Sequence, residues 1–221
     1  MIKYIKHKDV DKTKWDQCIA RSSNGFIFAY AWYLEIVCEN WDALIEGDYE
    51  TVFPLPWKKK AGIYYIYQPF FLNQLGIFST EKITEELALR FLESIPEKFK
   101  YIDISLNCRN AITQSDFTIA TKQVQYLDLH TSYDTIRKSY SENLKRNLKK
   151  AIGNKIYLKE NISPDELVES FRSEHREKLK EFGNKNYLQL GYLIKKIVES
   201  GYGFTTGVYA EDNGLCASAS F

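Results

Sequence analysis

The residues best suited to bind an anion lie in one basic segment, residues 139–161, just past the middle of the chain. Its cations include Lys145, Arg146, Lys149, Lys150 and Lys155, and its only acid before Glu160 is Glu142. Arginine binds phosphate through a bidentate fork, whereas lysine acts as a point charge. The whole chain has 30 Lys+Arg and 29 Asp+Glu, a formal net charge of +1, so this positive charge is concentrated locally. A phosphate contact and the solvated face of an amphipathic helix both fit the segment.

A helix over residues 131–154 would carry these cations. Thr131 and Asp134 fit the start signal [ST]-x-x-[DE], and residues 153–154, Gly-Asn, fit a stop. Apolar residues recur every four positions, at Ile136, Tyr140, Leu144, Leu148 and Ile152. This spacing predicts one amphipathic helix whose apolar stripe fixes how the helix packs on a core, with the cations on its flanks.

Within this helix we predict that Arg146 and Lys145 bind a phosphate-bearing ligand in a groove between two halves of the chain. Positions 145 and 146 lie about 100° and 200° around the helix from Leu144, so both side chains cannot point the same way. The fork of arginine favours Arg146 as the main contact. Asn143 adds a neutral donor. The cations predicted to face water are Lys149 and Lys150.

Tyr67 and Gln68 are the second-choice ligand contacts. They lie in the aromatic run YYIYQPFF, just before Pro69, at the predicted C-terminal end of a strand. Ligands of open sheets commonly bind at such ends. Alternating aromatic residues also fit a strand buried in a core. The nearby triplet, residues 58–60, is predicted to form the tip of a hairpin.

Other kinds of site are not indicated by the sequence. The three histidines show no metal-ligand spacing, so we expect no metal site, and no Ser-His-Asp or Cys-His group identifies a catalytic base. The four cysteines are widely spaced, and the chain shows neither a signal peptide nor an apolar run long enough to span a bilayer. These features predict free thiols, no membrane span and a cytoplasmic location. One isolated basic stripe and a pI near 7.6 argue against binding duplex DNA.

The predicted elements give a mixed α/β (α+β) fold in which a mixed sheet is flanked by helices. Residues 1–130 read as β-α-α-β-β-β-α-β-β, with a helix at 83–95 capped by Ser79 or Thr80 and a final strand at 118–130. Residues 155–221 read as β-α-α-β-β, with helices at 163–180 and 187–200 and a last hairpin turning at Asp212-Asn213-Gly214. The second unit is therefore expected to be an incomplete copy of the first.

Three segments are similar to sequence patterns of a known family: SSNGFIFAYAWYLEIV, NLKRNLKKA and GVYAEDNGLCASASF. The first resembles a pattern of a Gly, an aromatic/aliphatic pair and a Trp. The second resembles a basic residue, an aliphatic residue three positions later and a Lys/Arg-Lys-Ala ending, and the third resembles the hairpin before an acyl-donor strand. With the element order, these segments resemble the Fem family of peptidoglycan bridge-forming aminoacyltransferases, which have two GNAT-fold domains. The chain has Phe28-Ala29-Tyr30 where the family usually has a Gln before the Trp.

The resemblance implies a GNAT-like domain over residues 1–130, a connecting basic helix over 131–154 and a truncated second GNAT-like unit over 155–221. It implies an N-acyltransferase that passes an aminoacyl or acyl group to an amine of a phosphorylated cell-wall precursor or similar small molecule. The donor would be aminoacyl-tRNA, with tRNA as a partner, or acyl-CoA.

The resemblance also implies where a donor loop would lie. In the GNAT fold, backbone N–H groups of a Gln/Arg-x-x-Gly-x-Gly/Ala loop bind the donor's pyrophosphate. Residues 74–80 occupy that position, but bulky Ile77 and Phe78 follow Gly76, which favours a plain strand-to-helix turn. The second such loop is expected beyond Phe221, so we assign no cofactor-binding residue. Two alternatives stay open: an acyl-CoA N-acetyltransferase acting on another small amine, and a catalytically silent GNAT-like binding module.

Overall fold

The computed structural model describes residues 1–113, 116–125, 127, 129–154, 156–175, 177, 179 and 182–221. The chain divides into two compact units, Met1–Thr118 and Ile119–Phe221. The division falls a little before the border at residue 130 that the sequence suggests.

The first unit is built on a mixed sheet. Its strands are β1 (Ile2–Lys6), β2 (Trp41–Glu46), β3 (Thr51–Lys60), β4 (Ile63–Ile66), β5 (Phe78–Ser79) and β6 (Phe99–Ile102), and its helices are α1 (Lys12–Arg21), α2 (Ala31–Val37) and α3 (Glu85–Glu93). The strand order is β1-β2-β3-β4-β6, with β5 beside β3. All neighbours are antiparallel except β4 and β6, which run parallel and are joined through α3. The predicted mixed sheet flanked by helices is confirmed.

The core of the first unit lies between the sheet and its helices. Large apolar side chains of β2, β3 and α3 are fully buried there, among them Leu44, Phe53 and Phe91. On α1 the predicted apolar face is confirmed, because its residues Trp15, Cys18 and Ile19 are buried. The indole N–H of Trp15 donates to the carbonyl oxygen of Ala29 at 2.8 Å, which satisfies its one polar group inside the core.

The lysine triplet at residues 58–60 lies in β3, not at the tip of the hairpin as predicted. Lys58, Lys59 and Lys60 pair with Tyr65, Tyr64 and Ile63 of β4. The tip is the two-residue turn of residues 61–62, whose φ angles are 48° and 85°. Two consecutive positive φ angles match the twist of antiparallel strands, so the hairpin continues through the lysines up to this turn.

The helix cap and the last strand predicted for the first 130 residues also differ from the structure. Thr84 caps α3, since its hydroxyl accepts from the Leu87 N–H at 3.2 Å. Ser79 is instead the last residue of β5, where its hydroxyl lies 2.8 Å from that of Thr51. The described residues of the segment 118–130 form no strand, because an alternating pattern makes a strand only where a neighbouring strand completes its hydrogen bonds. Tyr126 and Asp128 lie outside the described residues.

The second unit has a three-stranded antiparallel sheet. Its elements are α4 (Tyr133–Lys138), α5 (Glu142–Gly153), β7 (Tyr157–Glu160), α6 (Pro164–His175), α7 (Asn184–Glu199), β8 (Thr205–Tyr209) and β9 (Leu215–Ser220). The strand order is β7-β8-β9. A small core of Ile162, Leu167, Ile194 and Tyr209 joins α6 and α7 to the sheet. The predicted end of α6 near residue 180 falls among positions that are partly outside the described residues.

The basic segment forms two helices, not the single helix predicted from its spacing. Ser139 ends α4, and its N–H donates to the carbonyl oxygen of Ile136 at 3.1 Å. Ser141 caps α5, since its hydroxyl accepts from the Leu144 N–H at 3.2 Å. A serine hydroxyl competes with the helical hydrogen bonds of the backbone, and this explains why the helix is interrupted here. The four-residue apolar spacing continues across the interruption and does not reveal it.

The arrangement β-α-α-β-β occurs in both units with the same strand order. In the first unit β1, α1, α2, β2 and β3 give the sheet order β1-β2-β3, and in the second β7, α6, α7, β8 and β9 give β7-β8-β9, antiparallel throughout. The two first helices also begin alike. Asp11 accepts from the N–H groups of Thr13 and Lys14, and Ser163 accepts from the N–H of Glu166 at 3.1 Å. That the second unit is an incomplete copy stays a prediction.

Candidate functional site

The predicted phosphate ligands lie on the solvent-exposed helix α5. Lys145 and Arg146 each contact a residue one turn earlier: the Lys145 ammonium lies 2.8 Å from a carboxylate oxygen of Glu142, and the Arg146 guanidinium donates to the side-chain oxygen of Asn143 at 2.7 Å. Asn143 thus acts as an acceptor that orients the guanidinium. Both cations are exposed and can meet an anion from solvent. Their placement in a groove between the two halves stays a prediction.

The cations of α5 lie in different directions around the helix. At about 100° per residue, Lys145 and Lys149 border the apolar stripe on one side, whereas Arg146 and Lys150 lie on the side opposite to it. A single phosphate can therefore be bound by Arg146 and Lys150 together, or by Lys145 and Lys149 together. Of the four, only Arg146 offers a planar fork for bidentate contact.

The apolar stripe of α5 does not pack on a core, which corrects the prediction. All twelve residues of α5 are described, and none of them is buried. One face of the unit's sheet packs on α6 and α7, where Leu167 and Ile194 are buried with Tyr209. The leucines of α5 are in contact with solvent.

Gln68 holds together the ends of two parallel strands. Its amide nitrogen donates to the carbonyl oxygen of Leu72 at 2.6 Å, and its amide oxygen accepts from the Ser105 N–H at 2.9 Å. Leu72 follows β4 in the chain and Ser105 follows β6. Both ends of this amide are thus engaged by the backbone, and Gln68 acts as a bridge within the first unit.

Tyr67, the neighbour of Gln68, also contacts groups of the first unit. Its hydroxyl accepts from the Glu39 N–H at 3.4 Å, and the Lys58 ammonium lies 4.5 Å from the centre of its ring. Burial raises the pKa of the Tyr67 hydroxyl, since desolvation penalises the phenolate. A role of Tyr67 and Gln68 as ligand contacts stays a prediction.

The turn at residues 74–80, where the resemblance places a donor loop, already uses two of its N–H groups. Leu75 lies beside Leu106 in a parallel bridge, and its N–H donates to the carbonyl oxygen of Ser105 at 2.7 Å. The Ile77 N–H donates to the side-chain oxygen of Asn110 at 2.7 Å. A pyrophosphate would have to displace these bonds, so the observed geometry favours the plain structural turn.

Three buried asparagines, which the sequence patterns do not reveal, build this turn. Asn24 and Asn110 donate to the carbonyl oxygen of Ile77 at 2.8 Å and 3.0 Å, and Asn107 donates to that of Leu75 at 2.9 Å. Gly76 has a φ of 115°, and a Cβ there would lie 2.1 Å from the Asn110 side-chain oxygen. The only sequence signal is the presence of three asparagines beside apolar runs. Their partners are far apart in the chain, so spacing alone does not predict the cluster.

Polar residues also meet at one side of the first unit's sheet. The Tyr4 hydroxyl donates to Asp42, and the Lys98 ammonium donates to the Tyr4 hydroxyl at 2.6 Å. Asp42 is buried and also accepts from the His7 N–H at 3.0 Å. The Lys98 ammonium lies 4.7 Å from the centre of the Phe99 ring. This cluster joins β1, β2 and the start of β6. Its members form hydrogen bonds with one another.

A cleft of about 830 Å³ lies between α6 and α7 in the second unit. Gly191 and Val168 lie among its lining residues, and the Arg172 guanidinium lies 5.1 Å from the centre of the Tyr187 ring. The same guanidinium donates to the side-chain oxygen of Asn184 at 2.7 Å. Arg172 therefore links the two helices across the cleft.

Among the described residues, no group of three or more His, Cys, Asp or Glu side chains could hold a metal ion. No helix in the described part of the chain is both long and apolar enough to cross a bilayer. Comparison with known proteins gives no match to any family model, curated protein or solved structure.

Proposed function

We propose that the chain is a Fem-like, GNAT-fold N-acyltransferase, or the part of one that binds the acceptor. The observation that carries the proposal is the duplicated β-α-α-β-β arrangement with the same antiparallel strand order in both units. In the first unit the chain continues through β4, the two-residue β5 and α3 into β6, which runs parallel to β4. Apart from β5, this succession is the one expected of a GNAT domain, and it supports the proposal. A tandem pair of such units with a basic helix along the chain between their sheets is the organisation expected of the Fem family.

The proposed reaction is acyl transfer to an amine. The amine nitrogen attacks the carbonyl carbon of the donor, an ester of aminoacyl-tRNA or a thioester of acyl-CoA. A C–N bond forms and the C–O or C–S bond of the donor breaks. The nitrogen loses a proton to a base, and the leaving oxygen or sulfur takes up a proton and departs as the tRNA hydroxyl or the CoA thiol. We assign no residue to the role of that base.

Binding of the acceptor is proposed for the side of α5 opposite to its apolar stripe. Arg146 is exposed there, and its guanidinium is oriented by Asn143. A charge-assisted hydrogen bond contributes roughly 1.5–3 kcal/mol. The proposed acceptor is a nucleotide-linked cell-wall precursor, whose phosphates would accept from the guanidinium. The proposed location is the cytoplasm, where such precursors are made available to the family.

Calorimetric titration of the full chain with a nucleotide-sugar-linked muramoyl peptide tests the binding step. Arg146→Ala is expected to weaken binding by about tenfold or more, because it removes a charge-assisted contact of that strength. Lys149→Ala, at a lysine beside the apolar stripe, is the matched control and is expected to change affinity little, apart from a small effect that disappears with salt. Equal, small losses of affinity in the two variants would indicate that the basic side of α5 is only a solvated surface.

A catalytically silent binding module is the second candidate function. The engaged N–H groups of Leu75 and Ile77 favour it for the first unit, because they leave no open cradle for a donor's pyrophosphate. Mass spectrometry of the precursor after incubation with aminoacyl-tRNA or acyl-CoA distinguishes the two. An added acyl mass supports the transferase and identifies its donor. Tight binding of an unmodified precursor supports the binding module.

A further inference from the structure

The side of α5 that carries its apolar stripe is open to solvent. Leu144 and Leu148 are 40% and 43% exposed, and Ile152 is 82% exposed. The spacing of four residues places these three side chains along one side of the helix. A continuous aliphatic stripe in water is unfavourable, and contiguous exposed apolar surface marks a site of interaction.

Positive charge accompanies this stripe. Lys145 and Lys149 lie at about 100° and 140° from Leu144 around the helix, directly beside the aliphatic side chains. On α5 itself the only acid is Glu142, whose carboxylate is paired with the Lys145 ammonium at 2.8 Å. The preceding helix adds Arg137 and Lys138 in its last turn. The partner of this surface must therefore offer apolar groups and negative charge together.

We propose that α5 binds the surface of an anionic lipid bilayer, with its apolar stripe among the acyl chains and its lysines at the lipid phosphates. A helix of 12 residues is about 18 Å long, too short to cross a hydrocarbon core of about 30 Å, so α5 lies in the plane of the interface. Lysines beside an aliphatic face are a feature by which amphipathic helices bind such interfaces.

Two other occupants are outcomes of the test. An RNA would neutralise the cations but leave the leucines in water, because its outer surface is phosphate and sugar. A protein would match both features only with an apolar groove rimmed by acidic groups, and in that case the chain would not bind vesicles. Arg146 and Lys150 point away from the bilayer in this orientation, so membrane binding does not depend on the proposed acceptor site and can be tested separately.

Flotation of the full chain with lipid vesicles tests the proposal. The wild-type chain is expected to float with vesicles of equal parts phosphatidylglycerol and phosphatidylcholine, and to stay unbound with phosphatidylcholine alone. Leu148→Glu is expected to lower the partition coefficient by about tenfold or more, because it removes one buried leucine side chain. Lys149→Gln is expected to lower it roughly fivefold, the contribution of one cation near an anionic surface.

Leu188→Glu is the matched control, since Leu188 is also a helical leucine and is 76% exposed on α7. It is expected to leave the partition unchanged, and circular dichroism checks that every variant is folded. Added inorganic phosphate should not release the protein, which separates a membrane surface from a free phosphate ligand. Equal binding to both vesicle types, or equal losses from Leu148→Glu and Leu188→Glu, would overturn the proposal. The proposal would also be overturned if the chain bound bulk tRNA but no vesicles, and if Leu148→Glu left the tRNA binding intact.

Discussion

Asn110 pairs with the backbone of Ile77 through both ends of its side-chain amide. The Ile77 N–H donates to the Asn110 oxygen at 2.7 Å, and the Asn110 nitrogen donates to the Ile77 carbonyl oxygen at 3.0 Å. Both residues are buried, and Asn110 therefore replaces the neighbouring strand that Ile77 lacks. The carbonyl oxygen of Ile77 has a second donor in Asn24, whereas the paired N–H depends on Asn110.

Asn110→Ala is expected to lower the free energy of unfolding of the first unit by about 1–3 kcal/mol, because it leaves the buried Ile77 N–H without its partner. Urea unfolding followed by tryptophan fluorescence measures this, since all four tryptophans lie in the first unit. Asn147→Ala, at an exposed position of α5, is the control and should change stability by less than about 0.5 kcal/mol. Equal stability of the two variants would show that the asparagine cluster does not hold the turn.

Local patterns predicted much of the fold because its elements begin and end at local signals. The apolar face of α1 was predicted correctly from Trp15, Cys18 and Ile19, which are buried. The last hairpin turns where predicted, with Asn213 at a φ of 64° and the Gly214 N–H donating to the Asp212 side chain at 2.9 Å. Each of these features depends on residues within a few positions of one another.

Features that depend on distant residues were not predictable in this way. The spacing Leu144–Leu148 fits a helix packed on a core, but whether a core meets this stripe depends on residues far away in the chain, and no residue of α5 is buried. The cap at Ser141 is a local signal, but the four-residue spacing on both sides of it favoured a single helix. The asparagine cluster joins Asn24 to Asn107, residues that no periodicity connects. The candidate site shares this limit, since the sequence identifies Arg146 as a cation on a helix but not what binds it.

The four cysteines differ sharply in accessibility, and their reaction rates with a thiol reagent are expected to differ likewise. All four are free; Cys18 and Cys38 are buried, whereas Cys108 and Cys216 are exposed. Burial raises the pKa of the Cys18 and Cys38 thiols, so few reactive thiolates form there.

A disulfide-exchange reagent at mildly alkaline pH should modify two thiols of the folded chain rapidly and two slowly, and the denatured chain should give four. Cys108→Ser should remove one rapid equivalent. Cys38→Ser is the control and should leave the rapid count unchanged. A denatured count below four without added reductant would mean that two cysteines are joined, contrary to the prediction of free thiols.

The Tyr4 hydroxyl makes the stability of the first unit dependent on alkaline pH. Burial, the hydrogen bond to Asp42 and the charge of Asp42 all raise the pKa of Tyr4 in the folded chain. The unfolded value is near 10, so the folded state retains this proton at pH values where the unfolded state loses it. The stabilisation is therefore fully present below about pH 10 and is lost as the pH rises towards the folded value.

Urea unfolding of the wild-type chain between pH 8 and 11, followed by tryptophan fluorescence, should show stability falling above about pH 10. The stability of the Tyr4→Phe variant should fall less steeply over the same range, because the substitution removes one proton-linked group while Lys98 and Asp42 remain. Some loss should persist in this variant, since burial also raises the pKa values of Tyr33 and Tyr67. Tyr101→Phe, at an exposed tyrosine, should retain the wild-type slope. An equally steep fall in the Tyr4→Phe variant would mean that the Tyr4–Asp42 hydrogen bond is not maintained in solution, because a solvated Tyr4 would titrate alike in the folded and unfolded chains.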